Sequence, residues 1–283
     1  METGLFPGIC EKEYRTSPGL NASLMAYGSQ SMAHLKYAMD NPDLGTTPAK
    51  ELGTLIHLLA LQPEEFAARY VVRPEWDART KEGKATRDAF NETLAGRQGI
   101  DAETLEIARG AVKALRTHPL AGPLMEAAGP CEVVARWTDP RTGVFCKGKL
   151  DKYIPGVLAL DLKSTADASP AAFARSYYNY GYHRQLAHYI DGFKLASGKE
   201  TPFVIVAVEN VAPFGVCVFQ PDLHSIDCGR FDNRRIMAEY AACLKSGKWP
   251  SYPDKQVRTV CLPEWASKQY EKEMALTERI ENE

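Results

Sequence analysis

The chain has 283 residues, 45% apolar and 25% charged, with a formal net charge of −2. That is the make-up of an ordinary folded globule, long enough for one large or two small domains with ample core. It excludes a protein that binds nucleic acid through overall positive charge, though not one that needs positive potential only in a channel. No run approaches the ~18 apolar residues of a membrane helix, and METGLFPGICEKEYR lacks the charged-then-apolar pattern of an export signal. Seven cysteines occur with no CxxC pair, so neither a zinc site nor an iron–sulfur cluster is expected, and free thiols fit a reducing cytoplasm.

Residues 1–18 read as an irregular arm. From Asn21 to Met39 apolar residues recur at helical spacing (Leu24, Met25, Met32, Leu35, Tyr37), predicting one helix with Asn21 or Ser23 as N-cap. After a turn-rich break at Asn41–Thr47, a second helix is predicted from Pro48 to Leu61. Its ELGTLIHLLAL run is apolar apart from His57, and a lone histidine there reads first as a satisfied core residue. Pro63–Phe66 reads as a further short helix. Between Arg79 and Arg87 lie four basic residues (Arg79, Lys81, Lys84, Arg87), one acid and a central glycine. Such a stretch is either a solvated loop or a loop that touches DNA phosphates. Its basic character in a chain that is acidic overall favours DNA contact. Asp101–His118 reads as an amphipathic helix ended by Pro119.

Strands follow: Cys131–Trp137, a turn at Asp139–Gly143, then Val144–Tyr153 and Gly156–Lys163. Glu132, at the start of the first, reads as an edge-strand surface charge, with an extra acid facing the site as the alternative. Pro170 starts a helix. The run YYNYGYH holds Tyr177, Tyr178, Tyr180 and Tyr182; these read as core, with stacking on nucleobases the alternative. Gln185 and Tyr189 stand at i and i+4 on one helix face. Strands are predicted at Pro202–Glu209 and Phe214–Phe219, and a long helix over Pro221–Leu244. A proline-rich loop leads to a polar helix, Glu264–Glu283, that frames an oligomer contact or frays as a chain end.

The stretch GKLDKYIPGVLALDLK, Gly148–Lys163, carries the chemistry. A turn at Pro155-Gly156 brings Asp151 and Asp161 to one end of a hairpin. Asp161 and Lys163, two apart, share a face of the strand. Two acids and a lysine there make a divalent-metal site beside a cation that holds or activates a water, the set that phosphodiester hydrolysis needs. The alternative is a solvated surface pair. VLALDLK is apolar until its end, however, so Asp161 closes a buried strand.

Together with the helix that carries Gln185-x-x-x-Tyr189, the order Asp151, Asp161-x-Lys163 resembles the PD-(D/E)XK nuclease superfamily. Within it the match is to the branch with the RecB-type QxxxY helix, and there to RecE, the exonuclease VIII family of phage recombination nucleases. The blocks that carry the likeness are LGTLIHLLALQPEEF, ARWTDPRTGVFCKGKLDKYIP, DLKSTAD, YYNYGYHRQLAHYIDGF and WPSYPDKQVRTVCLPEWA, in the same order. One departure is Leu150, where the family carries proline before its aspartate. That proline carries no chemistry.

The resemblance implies an α/β fold: a PD-(D/E)XK restriction-endonuclease-like core, with a mixed central β-sheet flanked by helices and an N-terminal helical wall. It implies one nuclease domain over 1–283, comprising a helical part at 1–128, the core at 129–250 and a tail at 251–283. Asp151 and Asp161 would hold one or two Mg2+ (or Mn2+) ions, with the Leu162 carbonyl a further ligand. Lys163 would orient or activate the attacking water, Gln185 would present its amide to water or phosphate, and Tyr189 its hydroxyl to phosphate. His57, in the family's GTxxH position, would face the metals as a neutral ligand better suited to manganese than to magnesium. Ser23 falls where related nucleases contact the DNA end, with a plain helix cap the alternative. The implied activity is 5′→3′ digestion of linear double-stranded DNA ends by a cytoplasmic, bacterial or phage-encoded enzyme. It would leave 3′ tails for a RecT-like single-strand annealing partner and work as a ring-shaped homo-oligomer. Two other readings stay open: a single-strand or structure-specific nuclease of the same superfamily, and a non-catalytic DNA-binding protein on the same fold.

Overall fold

The computed structural model describes residues 2–42, 45, 47–77, 79–252 and 257–281. The chain divides into two units, Met1–Trp249 and Pro250–Glu283. In the first, the arm read as irregular carries a short strand, β1 (Gly4–Phe6), and a short helix, α1 (Glu11–Thr16). The single helix expected over Asn21–Met39 is two, α2 (Ala22–Gly28) and α3 (Met32–Asp40). Asn21 is the cap of α2, its side chain accepting the Leu24 N–H at 2.8 Å. Ser31, in extended conformation, caps α3. One apolar periodicity spans both helices because Met25, Met32 and Leu35 are buried in the same cluster.

The helix α4 (Pro48–Leu61) has the expected bounds, with Thr47 as its cap and Pro48 in its first turn. A 3-10 turn at Pro63–Glu65 leads through α5 (Phe66–Arg69) to β2 (Tyr70–Val72). This strand pairs in parallel with β3 (Gln98–Ile100) in a small separate sheet. Between them the basic stretch is a helix rather than a loop: α6 (Lys81–Thr93). Thr80 caps it, its hydroxyl accepting the Gly83 N–H at 2.9 Å. Gly83 marks a close approach rather than a break, since a Cβ there would stand 2.0 Å from the Asp77 carbonyl oxygen. α7 (Ala102–Thr117) and α8 (Ala121–Glu126) complete the N-terminal helices.

Next come β4 (Cys131–Thr138), β5 (Phe145–Ile154) and β6 (Leu158–Thr165), then α9 (Pro170–Asn179) and α10 (Tyr182–Ser197). β7 (Phe203–Glu209), β8 (Val216–Phe219) and α11 (Leu223–Ser246) close the unit. The main sheet runs β1-β4-β5-β6-β7-β8. Its neighbours are antiparallel except β6 and β7, which are parallel. A parallel pair needs a long crossover, and α9 and α10 supply it.

Helices cover both faces, as the alternation along β6 requires. Leu160 and Leu162 pack with Leu55 and Ile56 of α4 and Leu115 of α7. Ala159 packs the other way, with Leu186 and Phe193 of α10. Asp161 and Lys163 share that second face. A third cluster joins α2, α3 and α11 to β4 and β5 through Leu20, Leu35, Trp137 and Ile236. The second unit holds α12 (Glu264–Glu281). No helix among the described residues is long and apolar enough to cross a membrane.

Candidate active site

The turn between β5 and β6 places Gly156 at φ +76°, a conformation that glycine adopts without strain. The turn fixes the register. Pairing ends at Lys152–Leu160, and one step further Asp151 stands against Asp161. On the other side the ladder passes from Cys131–Lys152 to Val133–Leu150, which leaves Glu132 against Asp151. Three carboxylates therefore form a row across three strands. Glu132 has φ +54°, rare for a residue with a side chain. Its side chain is only 18% exposed. The expected edge-strand surface charge is thus a member of the cluster, because strand register rather than local sequence decides what Glu132 faces.

His57 enters from α4, its Nδ1 lying 3.6 Å from Asp151 Oδ2. One ligand atom each from His57, Glu132 and Asp151 lie within 4.8 Å of one another. Asp151 Oδ2 accepts the Leu162 N–H at 2.6 Å. Asp161 Oδ2 lies 2.5 Å from Lys163 Nζ as an ion pair, yet no aligned hydrogen-bond donor reaches this buried oxygen among the described residues. A buried carboxylate paired with an ammonium, two neighbouring carboxylates and an imidazole fit a divalent cation with a preference for oxygen ligands. His57, Glu132, Asp151 and Asp161 are the residues that would hold it.

The electrostatics suit that donor set. Burial, then the charge of Asp161, pushes the Asp151 carboxyl well above the usual carboxylate range; Lys163 and the Leu162 N–H oppose this. Burial, then Lys163 and Lys149, lowers His57 to about 3, so its imidazole is a neutral donor at physiological pH. Burial alone would lower Lys163, but Asp161 and Asp151 outweigh it and hold the ammonium above the usual lysine value. Strongly shifted groups gathered in one cleft are characteristic of functional sites.

Lys149, two residues before Asp151 on β5, belongs to the same cluster without any local sequence signal. Its Nζ contacts Glu132 and lies 2.5 Å from Glu11 Oε2 of the arm. On α10 the residues Tyr182, Gln185 and Tyr189 share one face. Lys163 Nζ lies 4.8 Å from the centroid of the Tyr182 ring. Gln185 Nε2 donates to Tyr189 Oη at 3.0 Å. Burial, then Tyr14 and Asp161, keeps the Tyr189 hydroxyl protonated well above its ordinary range. The tyrosine run does not form a core block: Tyr178 and Tyr180 are 74% and 69% exposed.

These elements surround a cleft of about 1560 Å³, lined among others by His57, Glu132, Lys149, Asp151 and Tyr182. Ser23 lies on its wall, exposed in the first turn of α2, where Asn21 rather than Ser23 is the cap. Arg79, Lys81, Lys84 and Arg87 do not line it. Arg79 is paired with Asp77 at 3.1 Å and Arg87 with Asp88 at 2.8 Å.

The sequence model of a PDDEXK-like domain of unknown function (DUF3799) matches residues 23–257. Among solved structures, a candidate exonuclease from Eubacterium rectale superposes with a TM-score of 0.60 at 13% identity, covering 90% of this chain and 96% of its own. An alkaline exonuclease from Laribacter hongkongensis gives 0.28 at 13% identity, covering 66% of this chain and 97% of its own. A phage-related exonuclease from Haemophilus somnus 129PT gives 0.34 at 14% identity, covering 83% and 99%. At those two scores neither bears on the fold. No curated protein matches the sequence.

Proposed function

The chain belongs to the PDDEXK-like DUF3799 family, and on that premise we propose that it is a metal-dependent deoxyribonuclease that digests linear double-stranded DNA from its ends. The observation that carries this reading is the row Glu132, Asp151, Asp161 beside Lys163 and His57, of which His57, Glu132 and Asp151 line the cleft. A bound divalent cation, Mg2+ or Mn2+, supplies a Lewis acid for the scissile phosphate and lowers the pKa of a nearby water. The carboxylates and the neutral His57 would hold it, with the Leu162 carbonyl a further proposed ligand. Lys163, whose ammonium the two carboxylates hold above the usual lysine value in the metal-free protein, would orient or activate the attacking water or hold a phosphate oxygen. The Tyr182 ring faces the lysine ammonium at 4.8 Å. Gln185 and Tyr189 are bonded to each other, and their contact with water or phosphate rests on the likeness to the QxxxY nucleases.

Ser23 is proposed to meet the DNA end from the cleft wall. Contact with Arg79, Lys81, Lys84 or Arg87 would require DNA that extends beyond the cleft. The 5′→3′ direction, the 3′ single-stranded product, the RecT-like annealing partner and the ring-shaped homo-oligomer rest on the likeness of the motif blocks to RecE nucleases. The E. rectale neighbour's description as an exonuclease agrees with attack at ends.

The test is digestion of linear duplex labelled at the 5′ or the 3′ end, alongside a nicked circle and a single strand, with Mg2+, Mn2+ or chelator. Early metal-dependent release of the 5′ label, with the circle intact, is the expected result. Preferential attack on the circle or the single strand would make this a different nuclease of the superfamily. DNA binding without any cleavage would make it a non-catalytic protein on the same fold.

A further inference from the structure

Tyr180 stands where α9 turns into α10. Backbone hydrogen bonds close that corner: Tyr180 N–H to Ser176 O at 2.9 Å, Gly181 N–H to Tyr178 O at 3.0 Å and Arg184 N–H to Gly181 O at 3.0 Å. Gly181 has φ +68°, and the Arg184 side chain fills the place a Cβ would take, at 2.4 Å. The Tyr180 backbone is therefore fixed, while its side chain is among the more exposed apolar ones, at 69%.

Its surroundings keep the ring open toward the cleft. Ala172 and Ser176 of α9 and Tyr180, the residue that caps its C-terminus, follow at intervals of four and all line the cleft. On the inner side the Tyr180 and Tyr182 centroids are 5.7 Å apart, and the Tyr182 ring meets Lys163 Nζ at 4.8 Å. A short ladder of two aromatic rings thus leads from the cleft mouth to the lysine beside the carboxylates. Tyr178, in the same run, lies outside the cleft and stacks on His183 at 5.9 Å and 11°.

We propose that Tyr180 is a base-stacking subsite, whose ligand is the unpaired nucleobase adjoining the phosphate that Lys163 holds. The proposal rests on the nuclease reading for the position of that phosphate. An aromatic ring on a fixed backbone loses little freedom when a base stacks on it, and stacking accepts any base because every base has a π-face. The subsite would make end recognition depend on a frayed terminal base but not on its identity.

The experiment uses the full chain carrying Asp161→Asn, so that DNA is bound and not cut. Duplexes whose target strand has a normal or an abasic nucleotide at its first or second position are titrated by fluorescence anisotropy. Tyr180, Tyr180→Phe and Tyr180→Ala are compared. With Tyr or Phe, an abasic nucleotide at one of the two positions should weaken binding on the order of 10-fold, and Tyr180→Ala should erase that difference. An abasic penalty that survives Tyr180→Ala, or none in the Tyr180 protein, overturns the subsite. Cleavage of the normal duplex by the chain with Asp161 intact is measured in parallel. A protein that cuts without the Tyr180-dependent penalty loses the subsite alone. One that shows the penalty but does not cut keeps the subsite and loses the nuclease reading.

Discussion

Glu132 and Asp151 face each other across β4 and β5 at the point where the pairing between those strands is interrupted. The same Asp151 faces Asp161 one step past the end of the β5–β6 pairing. Asp151 is therefore flanked by an acid on each side, and its backbone neighbourhood is opened on both. Strand pairing gives way where the carboxylates gather, as expected if their repulsion is relieved by a cation rather than by the protein.

Glu132→Gln keeps the shape of the side chain and removes its charge. Lys149 retains Glu11 as its partner, so the fold should survive. If Glu132 is a ligand, Mn2+ affinity should fall by ~10- to 100-fold, the range seen when groups supporting a metal site are removed. Isothermal titration of Mn2+ measures this directly. Unchanged affinity would leave Glu132 as a counter-ion of Lys149 only.

Asp151→Asn should abolish cleavage and leave the metal-free protein at least as stable as the wild type. An asparagine oxygen can still accept the Leu162 N–H, while the repulsion from Asp161 and Glu132 disappears. The pH dependence has a defined sign. The folded pKa of Asp151 is raised, so its contribution to stability is present below the unfolded carboxylate value and lost as pH rises through the folded pKa. Asp151→Asn should remove that loss. Chemical denaturation in chelator at several pH values checks it, and a destabilised variant at neutral pH would contradict the repulsion.

What could be read from sequence was what local chemistry decides. The ends of α4 are set by Thr47 and Pro48 at one side and by the proline turn at the other, and the β5–β6 hairpin by Pro155-Gly156; both were placed. The face shared by Asp161 and Lys163 follows from a period of two. What escaped depends on pairing between distant segments. Glu132 looks like a surface charge until the β4–β5 register sets it against Asp151. Lys149 has no partner in its own neighbourhood of sequence, since Glu11 comes from the arm. The break at Ser29–Ser31 is hidden because both flanking helices bury residues in one cluster. The central glycine of the basic stretch, Gly83, carries no local sign of its close approach to Asp77. Tyr180 and Tyr182 could not be separated from core tyrosines without knowing where the α9–α10 corner lies.

Acid should destabilise the metal-free protein in part through His188. It is buried, with Nε2 3.0 Å from the Lys147 carbonyl, and burial lowers it to about 4, opposed by that hydrogen bond. A depressed histidine contributes stability that is full above the unfolded value and lost as pH falls toward the folded pKa. Between about 6.5 and 4 the unfolded chain binds the extra proton, a slope of about 1.4 kcal/mol per pH unit. His188→Gln can keep a donor to Lys147 and should flatten the acid limb by about that slope. Denaturant melts from pH 7 to 4.5 measure it, and an unchanged limb would place the acid sensitivity elsewhere.

Lys163→Ala should lower the cleavage rate by ~10²-fold or more, in the range of electrostatic and general acid–base groups. Mn2+ binding should survive, because an ammonium is not a ligand. The loss of the cation leaves Asp161 and Asp151 buried without their counter-ion, so the metal-free Tm should fall and added metal should restore more of it than in the wild type. A variant that no longer binds Mn2+ would make Lys163 a structural support of the ligands.

His57 separates a ligand from a core residue most sharply. A histidine at its ordinary pKa would begin to lose metal to protons near pH 6.5. Burial with Lys163 and Lys149 moves His57 to about 3, so protonation of this side chain should not compete with metal across the usual assay range. The pH limb of activity between 7 and 5 should therefore not track His57. As a ligand, His57→Leu should fold and lose most activity, with part returning at high Mn2+ because mass action refills a weakened site. The same variant should be more stable than the wild type at acid pH when metal-free, since the depressed imidazole costs the native state stability as pH falls from about 6.5 toward about 3. Activity, Mn2+ dependence and denaturation at pH 5 and pH 7 together decide the role. Normal cleavage at low Mn2+, combined with the acid-pH gain in stability, would make His57 a packed wall residue and leave Glu132, Asp151 and Asp161 to hold the metal without it.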